Sequence, residues 1–217
     1  MKLNFFSIFI FASLAAVTMT GFTKKHPQIV CFGDSITHGA QVEGHSWVYF
    51  LSEDHTNIDF VNEGRNGRKT ADREELLPVL KQFPGAEYFL IFLGVNDLKD
   101  GNDSMVNSCV ENMSWMIAEI RKVNSKSKIV ILAPSDINLQ SINAINKSKK
   151  YNANTKKSLY VLEKRYKKLA ASLHTGFISL LHTVPKPDYA DGLHPNIAGQ
   201  KQIAEAIWKQ LKKSIKD

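Results

Sequence analysis

The sequence contains little cysteine, with only Cys31 and Cys109 among its 217 residues. Two thiols are too few for the disulfide framework that stabilises small secreted domains, so a hydrophobic core must hold this fold together. Neither thiol has the Cys-x-x-Cys or Cys/His spacing of a zinc site, and no metal is expected. Cys31 falls in a strand pattern and Cys109 in a helical pattern, which favours two buried free thiols over one bridge.

The chain also lacks internal repeats and linkers rich in proline or glycine, so we expect one domain. An apolar run at residues 5–19 is short for a membrane span and has the length of a secretory hydrophobic region. We interpret residues 1–21 as a signal peptide and residues 22–217 as the domain. This predicts an exported protein, periplasmic or extracellular, without stable membrane insertion after cleavage. An uncleaved anchor is the alternative.

Negative charge is in deficit, since 28 Lys and Arg residues against 21 Asp and Glu residues give a net charge of +7. A positive charge suits polyanionic partners such as acidic polysaccharide, anionic lipid or nucleic acid. The lysines concentrate at residues 146–158 and 209–217, without the series of interleaved aromatic residues on which bases stack. We therefore expect no nucleic acid partner and a solvated lysine-rich surface, with an attraction for acidic glycans as the alternative.

Five short apolar runs alternate with amphipathic stretches. The runs are apolar throughout rather than alternating, which is typical of strands buried on both faces of a parallel sheet. The pattern predicts an α/β fold, a three-layer α/β/α sandwich around a five-stranded parallel sheet. The predicted strands are residues 29–32, 58–61, 88–93, 128–133 and 177–181, and the predicted helices are residues 45–54, 73–83, 105–123, 155–173 and 196–215. The polar residues 135–154 are expected to form either a lid or rim over a site, or ordinary surface.

Reactive side chains follow the predicted strands at their carboxyl ends, where such sheets bind ligands. Ser35 follows the first strand in "GDS", Gly67 follows the second in "NEGRNGRKT", and Asn96 follows the third in "GVNDLK". Asp191 and His194 come after the fifth strand, three residues apart, in "DGLHPN". All five are therefore expected at one edge of the sheet.

These residue types suit nucleophilic attack on an ester. A serine hydroxyl needs a base, which His194 can supply, and Asp191 can hold the imidazole in one tautomer. The backbone N–H groups of Ser35 and Gly67 and the side-chain amide of Asn96 can donate to the negative oxygen that forms. The alternatives are that Ser35 is only a helix cap and that Asn96 is only a turn residue.

Five further residues near these blocks have less specific roles. His38 is expected to line the substrate pocket or to be solvated. Arg65 and Arg68 either bind an anionic part of the substrate or brace their loop. Asp34 is interpreted as a turn or capping residue, and Asp97 as a structural residue of the loop that presents the Asn96 amide.

Four blocks, "FGDSITHG", "NEGRNGRKT", "LGVNDLK" and "DGLHPN", resemble those of the GDSL or SGNH hydrolases and occur in the same order over residues 32–196. The resemblance implies a flavodoxin-like SGNH hydrolase fold. It also implies that Ser35 is the nucleophile, His194 the base and Asp191 its orienting acid, and that Gly67, Asn96 and the Ser35 amide form the oxyanion hole. The second block is similar to the arylesterase-like branch, from which Lys69 and His38 depart.

The sequence thus predicts an exported serine esterase that acts on small acyl groups, such as O-acetyl groups of carbohydrates, through an acyl-enzyme on Ser35. The expected partner is a small-molecule or glycan ester, and no cofactor is implied. Alternatives in the same family are a lysophospholipase, a thioesterase and an acyltransferase. A catalytically silent carbohydrate-binding protein on this fold is an alternative of another class.

Overall fold

The five apolar runs form one parallel sheet in a computed structural model that describes residues 26–215. The strands pair in the order β2-β1-β3-β4-β5, which confirms the predicted five-stranded parallel sheet. The predicted signal peptide at residues 1–21 lies outside the described residues. The strands are β1 (Gln28–Gly33), β2 (Asp59–Gly64), β3 (Tyr88–Phe92), β4 (Lys128–Ala133) and β5 (Gly176–Ser179).

Helices cover both faces of the sheet, as the apolar strands require. The helices are α1 (Ser35–His38), α2 (Trp47–Asp54), α3 (Leu76–Gln82), α4 (Asp103–Val123), α5 (Ala144–Ser148), α6 (Ala153–Ser172) and α7 (Ile197–Leu211). Helices α3, α4 and α6 pack on one face and α2 and α7 on the other, each over its own apolar core. Alternate strand residues enter the two cores, as Val30 and Cys31 of β1 do, because successive side chains point to opposite faces. This is the predicted three-layer sandwich.

Capping residues set the helix ends that periodicity placed only approximately. Helix α4 begins after Asn102, whose side chain accepts the Met105 N–H, and α6 begins after Asn152, which accepts the Thr155 N–H. The predicted helix at residues 73–83 is divided into a 3-10 turn at Thr70–Glu75 and helix α3. Both cysteines are buried and free, as expected.

The strand order places Ser35, Gly67 and Asn96, which follow three neighbouring strands, close to one another. Strand β1 has β2 on one side and β3 on the other, so the chain direction across the sheet reverses at β1. Ligands of open α/β sheets bind at such a switch point, beyond the carboxyl ends of the strands. Among residues 26–215, no helix has the length and apolar character needed to cross a membrane.

Candidate active site

Ser35 is held at the sharp turn between β1 and the single-turn helix α1. The turn forms because Asp34 adopts an extended backbone and its Oδ1 accepts the Ile36 N–H at 2.9 Å. Gly33 allows the close return of the chain, since a Cβ there would lie 2.1 Å from the Thr37 hydroxyl. Ser35 is therefore the first residue of α1, 8% exposed, and Asp34 rather than Ser35 is the cap.

Ser35, His194 and Asp191 form a continuous hydrogen-bonded chain. Ser35 Oγ lies 3.0 Å from His194 Nε2, and His194 Nδ1 lies 2.9 Å from Asp191 Oδ2. A carboxylate only accepts, so the proton between them belongs to Nδ1, and Nε2 is left to accept from the serine hydroxyl. Three residues that the sequence separates by up to 159 positions thus meet in the geometry that proton removal from a hydroxyl requires.

Asp191 is fixed by the turn that it shares with His194. Its Oδ1 accepts the backbone N–H groups of Leu193 at 3.0 Å and His194 at 2.8 Å. Burial alone raises the pKa of Asp191, but the hydrogen bonds from the His194 ring and these two N–H groups lower the pKa well below its usual range. The carboxylate therefore stays charged and keeps the imidazole in one orientation.

Asn96 is buried beside the loop that carries Gly67. Its Nδ2 donates to the Arg68 carbonyl at 3.1 Å, and its Oδ1 accepts from the Tyr151 hydroxyl at 2.5 Å. Asp97 joins the same two loops, because its carboxylate accepts both the N–H and the hydroxyl of Thr70. The expected structural role of Asp97 agrees with these contacts.

Gly67 adopts a φ of 76°, in the left-handed region that glycine enters without strain. It is exposed, and the space where a Cβ would stand has no other atom within 4 Å. Its backbone can therefore approach a ligand, as an oxyanion donor must. The Ser35 N–H belongs to the first turn of α1, where N–H groups have no intrahelical acceptor.

Arg68 and Arg65 form hydrogen bonds and ion pairs with neighbouring groups of the protein. Arg68 is 5% exposed, donates to the Gly33 carbonyl at 2.7 Å and to the Glu63 carbonyl, and pairs with Glu75 at 3.0 Å. Arg65 pairs with Glu75 at 2.7 Å and with a second carboxylate of the same 3-10 turn. These contacts agree with the bracing alternative for both arginines, and their predicted role in lining the substrate pocket stays a prediction.

His38 is exposed at the end of α1, and its predicted pocket-lining role stays a prediction.

Two residues that support the site were not predicted, because nothing in their local sequence pointed to such a role. Gln200 of α7 is fully buried, accepts the Trp47 N–H and donates to the Ile36 carbonyl, so it ties α7 to the helix that begins with Ser35. Tyr151, from the polar residues 135–154, is the second. Among residues 26–215, no group of three or more His, Cys, Asp or Glu side chains could hold a metal ion.

Comparison with known proteins identifies a family that matches most of the chain. A family model described as "GDSL-like Lipase/Acylhydrolase family" matches residues 31–202. A comparison with curated proteins finds no match.

Solved structures share the fold at low sequence identity. A lipase/acylhydrolase from Enterococcus faecalis has a TM-score of 0.68 at 24% identity, covering 87% of this chain and 97% of its own. An aryl esterase from M. smegmatis has a TM-score of 0.73 at 19% identity, covering 87% and 99%. A carbohydrate acetylesterase from Sinorhizobium meliloti has a TM-score of 0.74 at 16% identity, with the same two coverages of 87% and 99%.

Proposed function

Because the chain belongs to the GDSL-like lipase/acylhydrolase family, we propose that it is a serine esterase whose nucleophile is Ser35. The observation that carries this proposal is the chain of hydrogen bonds of 3.0 Å and 2.9 Å that joins Ser35 through His194 to Asp191. A helix cap would need neither partner.

The positions of these atoms support the following reaction. Ser35 Oγ attacks the ester carbonyl while its proton passes to His194 Nε2, and Asp191 stabilises the imidazolium that forms. The carbonyl oxygen, now negative, accepts from the N–H groups of Ser35 and Gly67 and from Asn96 Nδ2. The C–O bond to the alcohol then breaks, and the alcohol leaves with the proton from His194 Nε2.

The second half of the reaction releases the acid. Water loses a proton to His194 Nε2 and attacks the acyl-enzyme carbonyl, and the same donors stabilise the second tetrahedral intermediate. Collapse of this intermediate breaks the bond to Ser35 Oγ, which recovers its proton from His194. Removal of one oxyanion donor is expected to lower kcat by roughly 10²–10³-fold.

For the substrate we propose esters with small acyl groups, such as O-acetyl groups of carbohydrates. The support is the likeness of fold to an aryl esterase and a carbohydrate acetylesterase, together with a net charge of +7 that suits acidic glycans.

We also propose export directed by residues 1–21. Determination of the N-terminus of the protein recovered outside the cytoplasm tests this, with cleavage near residue 21 expected.

The deciding experiment compares wild type, Ser35→Ala and the control Ser108→Ala, which removes an exposed hydroxyl on α4. Wild type and Ser108→Ala should hydrolyse p-nitrophenyl acetate and be labelled by a fluorophosphonate at Ser35, and Ser35→Ala should do neither. Full hydrolysis by Ser35→Ala would refute the assignment. Folded wild type that is neither active nor labelled would favour the silent carbohydrate-binding protein.

A series of p-nitrophenyl esters from acetate to palmitate, with acetylated glycans beside it, tests the substrate. Activity confined to the short acyl groups is expected. A maximum at palmitate would favour a lysophospholipase or thioesterase. Ester formation with an added alcohol in water would favour an acyltransferase.

A further inference from the structure

The polar residues 135–154 pack against the turn that carries Asp191 and His194. The Asn138 N–H donates to the Gly192 carbonyl at 2.8 Å, and the Asn143 N–H donates to the Asp191 carbonyl at 3.1 Å. The contact is close, since a Cβ on Gly192 would lie 2.4 Å from Ile142 Cα. Backbone hydrogen bonds of this kind hold the segment on the turn, which argues against a lid.

The other end of the same segment contacts the oxyanion side of the site. Tyr151 is 3% exposed, and its hydroxyl donates to Asn96 Oδ1 at 2.5 Å. Asn146 connects the two ends, because its carbonyl accepts the Tyr151 N–H at 3.1 Å and its Nδ2 donates to the Asp191 carbonyl at 3.3 Å. A single segment therefore contacts both the acid and the amide through its buried residues.

The Arg68 carbonyl and the Tyr151 hydroxyl together hold the Asn96 amide in one orientation. With Oδ1 accepting from the hydroxyl and Nδ2 donating to the Arg68 carbonyl, one N–H of Nδ2 is left for a substrate oxygen. The flipped amide would bring Oδ1 against the Arg68 carbonyl, which is two acceptors in contact. Burial raises the pKa of Tyr151, so the hydroxyl keeps its proton and remains a donor.

Resting on the proposed function, we infer that Tyr151 is a positioning residue that orients the Asn96 amide as an oxyanion donor. Its hydrogen bond at Oδ1 also polarises the amide and makes the opposite N–H a stronger donor, because chains of hydrogen bonds reinforce one another. The residues from Asn138 to Tyr151 thus couple the placement of the oxyanion donor to that of the acid.

The test is Tyr151→Phe, which removes one hydroxyl and keeps the ring that fills the site. A matched control is Tyr88→Phe, which removes another buried hydroxyl, bonded at 2.6 Å to the Ser214 carbonyl at the opposite end of the sheet. For Tyr151→Phe we expect kcat for p-nitrophenyl acetate to fall by about 10-fold with KM nearly unchanged, because a loosened donor loses part of its roughly 10²–10³-fold effect. Tyr88→Phe should keep the wild-type kcat.

A double-mutant cycle separates positioning from general stability. In the Asn96→Ala background, Tyr151→Phe should change kcat by less than about twofold, since the amide through which it acts is gone. An unchanged kcat in Tyr151→Phe, or losses that multiply in the double variant, would overturn the inference. Wild type that is neither active nor labelled at Ser35 would instead refute the proposed function, whereas labelled wild type with an unaffected Tyr151→Phe refutes only the positioning role.

Discussion

Replacement of Asp191 by asparagine is the most informative single change in the proposed triad. Asparagine keeps an oxygen for the Leu193 and His194 N–H groups that Asp191 Oδ1 accepts at 3.0 Å and 2.8 Å, so the turn should persist. The atom facing His194 Nδ1 at 2.9 Å becomes an amide nitrogen, which donates. The ring is then pushed to the tautomer with its proton on Nε2, where it cannot take the proton of Ser35.

The magnitude follows from the tautomer. In serine-histidine-aspartate triads, the same replacement of Asp by Asn leaves the histidine in the wrong tautomer and lowers kcat by about 10⁴-fold. This corresponds to about 5.4 kcal/mol of transition-state stabilisation. The proposed oxyanion donors at Ser35, Gly67 and Asn96 remain in place, so activity should fall to a low level rather than to zero. KM should change little, because the Asp191 side chain is bonded to the His194 ring and to two backbone N–H groups and is proposed to act only through that ring.

The assay is steady-state hydrolysis of p-nitrophenyl acetate, together with the rate of fluorophosphonate labelling of Ser35. Asp188→Asn is the control, since Asp188 precedes Asp191 in the same loop, accepts from Gln202 of α7 and lies outside the hydrogen-bonded chain. A kcat for Asp191→Asn within tenfold of wild type would refute the proposal that this carboxylate orients the base. An equal loss of kcat in Asp188→Asn would also refute this proposal.

Three further predictions concern the support of the site. Burial raises the pKa of Asp34 to about 7, above the value of about 3.9 in the unfolded chain, so ionisation should weaken wild type by at most about 4 kcal/mol as pH rises from 4 to 7; urea unfolding of Asp34→Asn should lack this fall, and parallel pH profiles would contradict it. Gly67→Ala should lower kcat and cost about 1–2 kcal/mol of stability, because φ is 76°, whereas Gly85→Ala, also in open space but without that φ, should do neither; equal effects would be inconsistent with the role of the turn. Arg68→Lys should lower Tm while leaving KM for neutral and anionic esters unchanged, and a selective rise in KM for anionic esters would support Arg68 as a substrate contact.

The sequence predicted the sheet because strands that are buried on both faces of a parallel sheet are nearly continuous runs of apolar residues. Continuous apolar runs such as residues 129–133 are typical of such strands when helical stretches alternate with them. Helix ends were less accurate, because they depend on which polar side chain caps a free N–H, as Asn102 does for α4. The helix α5 was not predicted, since five residues carry too little periodicity.

The sequence by itself determined which groups we propose for the active site: Ser35, Asn96, Asp191 and His194 follow strand ends, and all parallel strands end at one edge. Only the tertiary structure decided what holds those groups. The Tyr151 hydroxyl donates to Asn96, which lies 55 positions away in the sequence, and the Arg68 side chain donates to the Gly33 carbonyl instead of pointing to solvent. Such partners depend on the path of the folded chain, because a hydrogen bond requires proximity in space, and local spacing carries no information about loops that meet from opposite sides of a site.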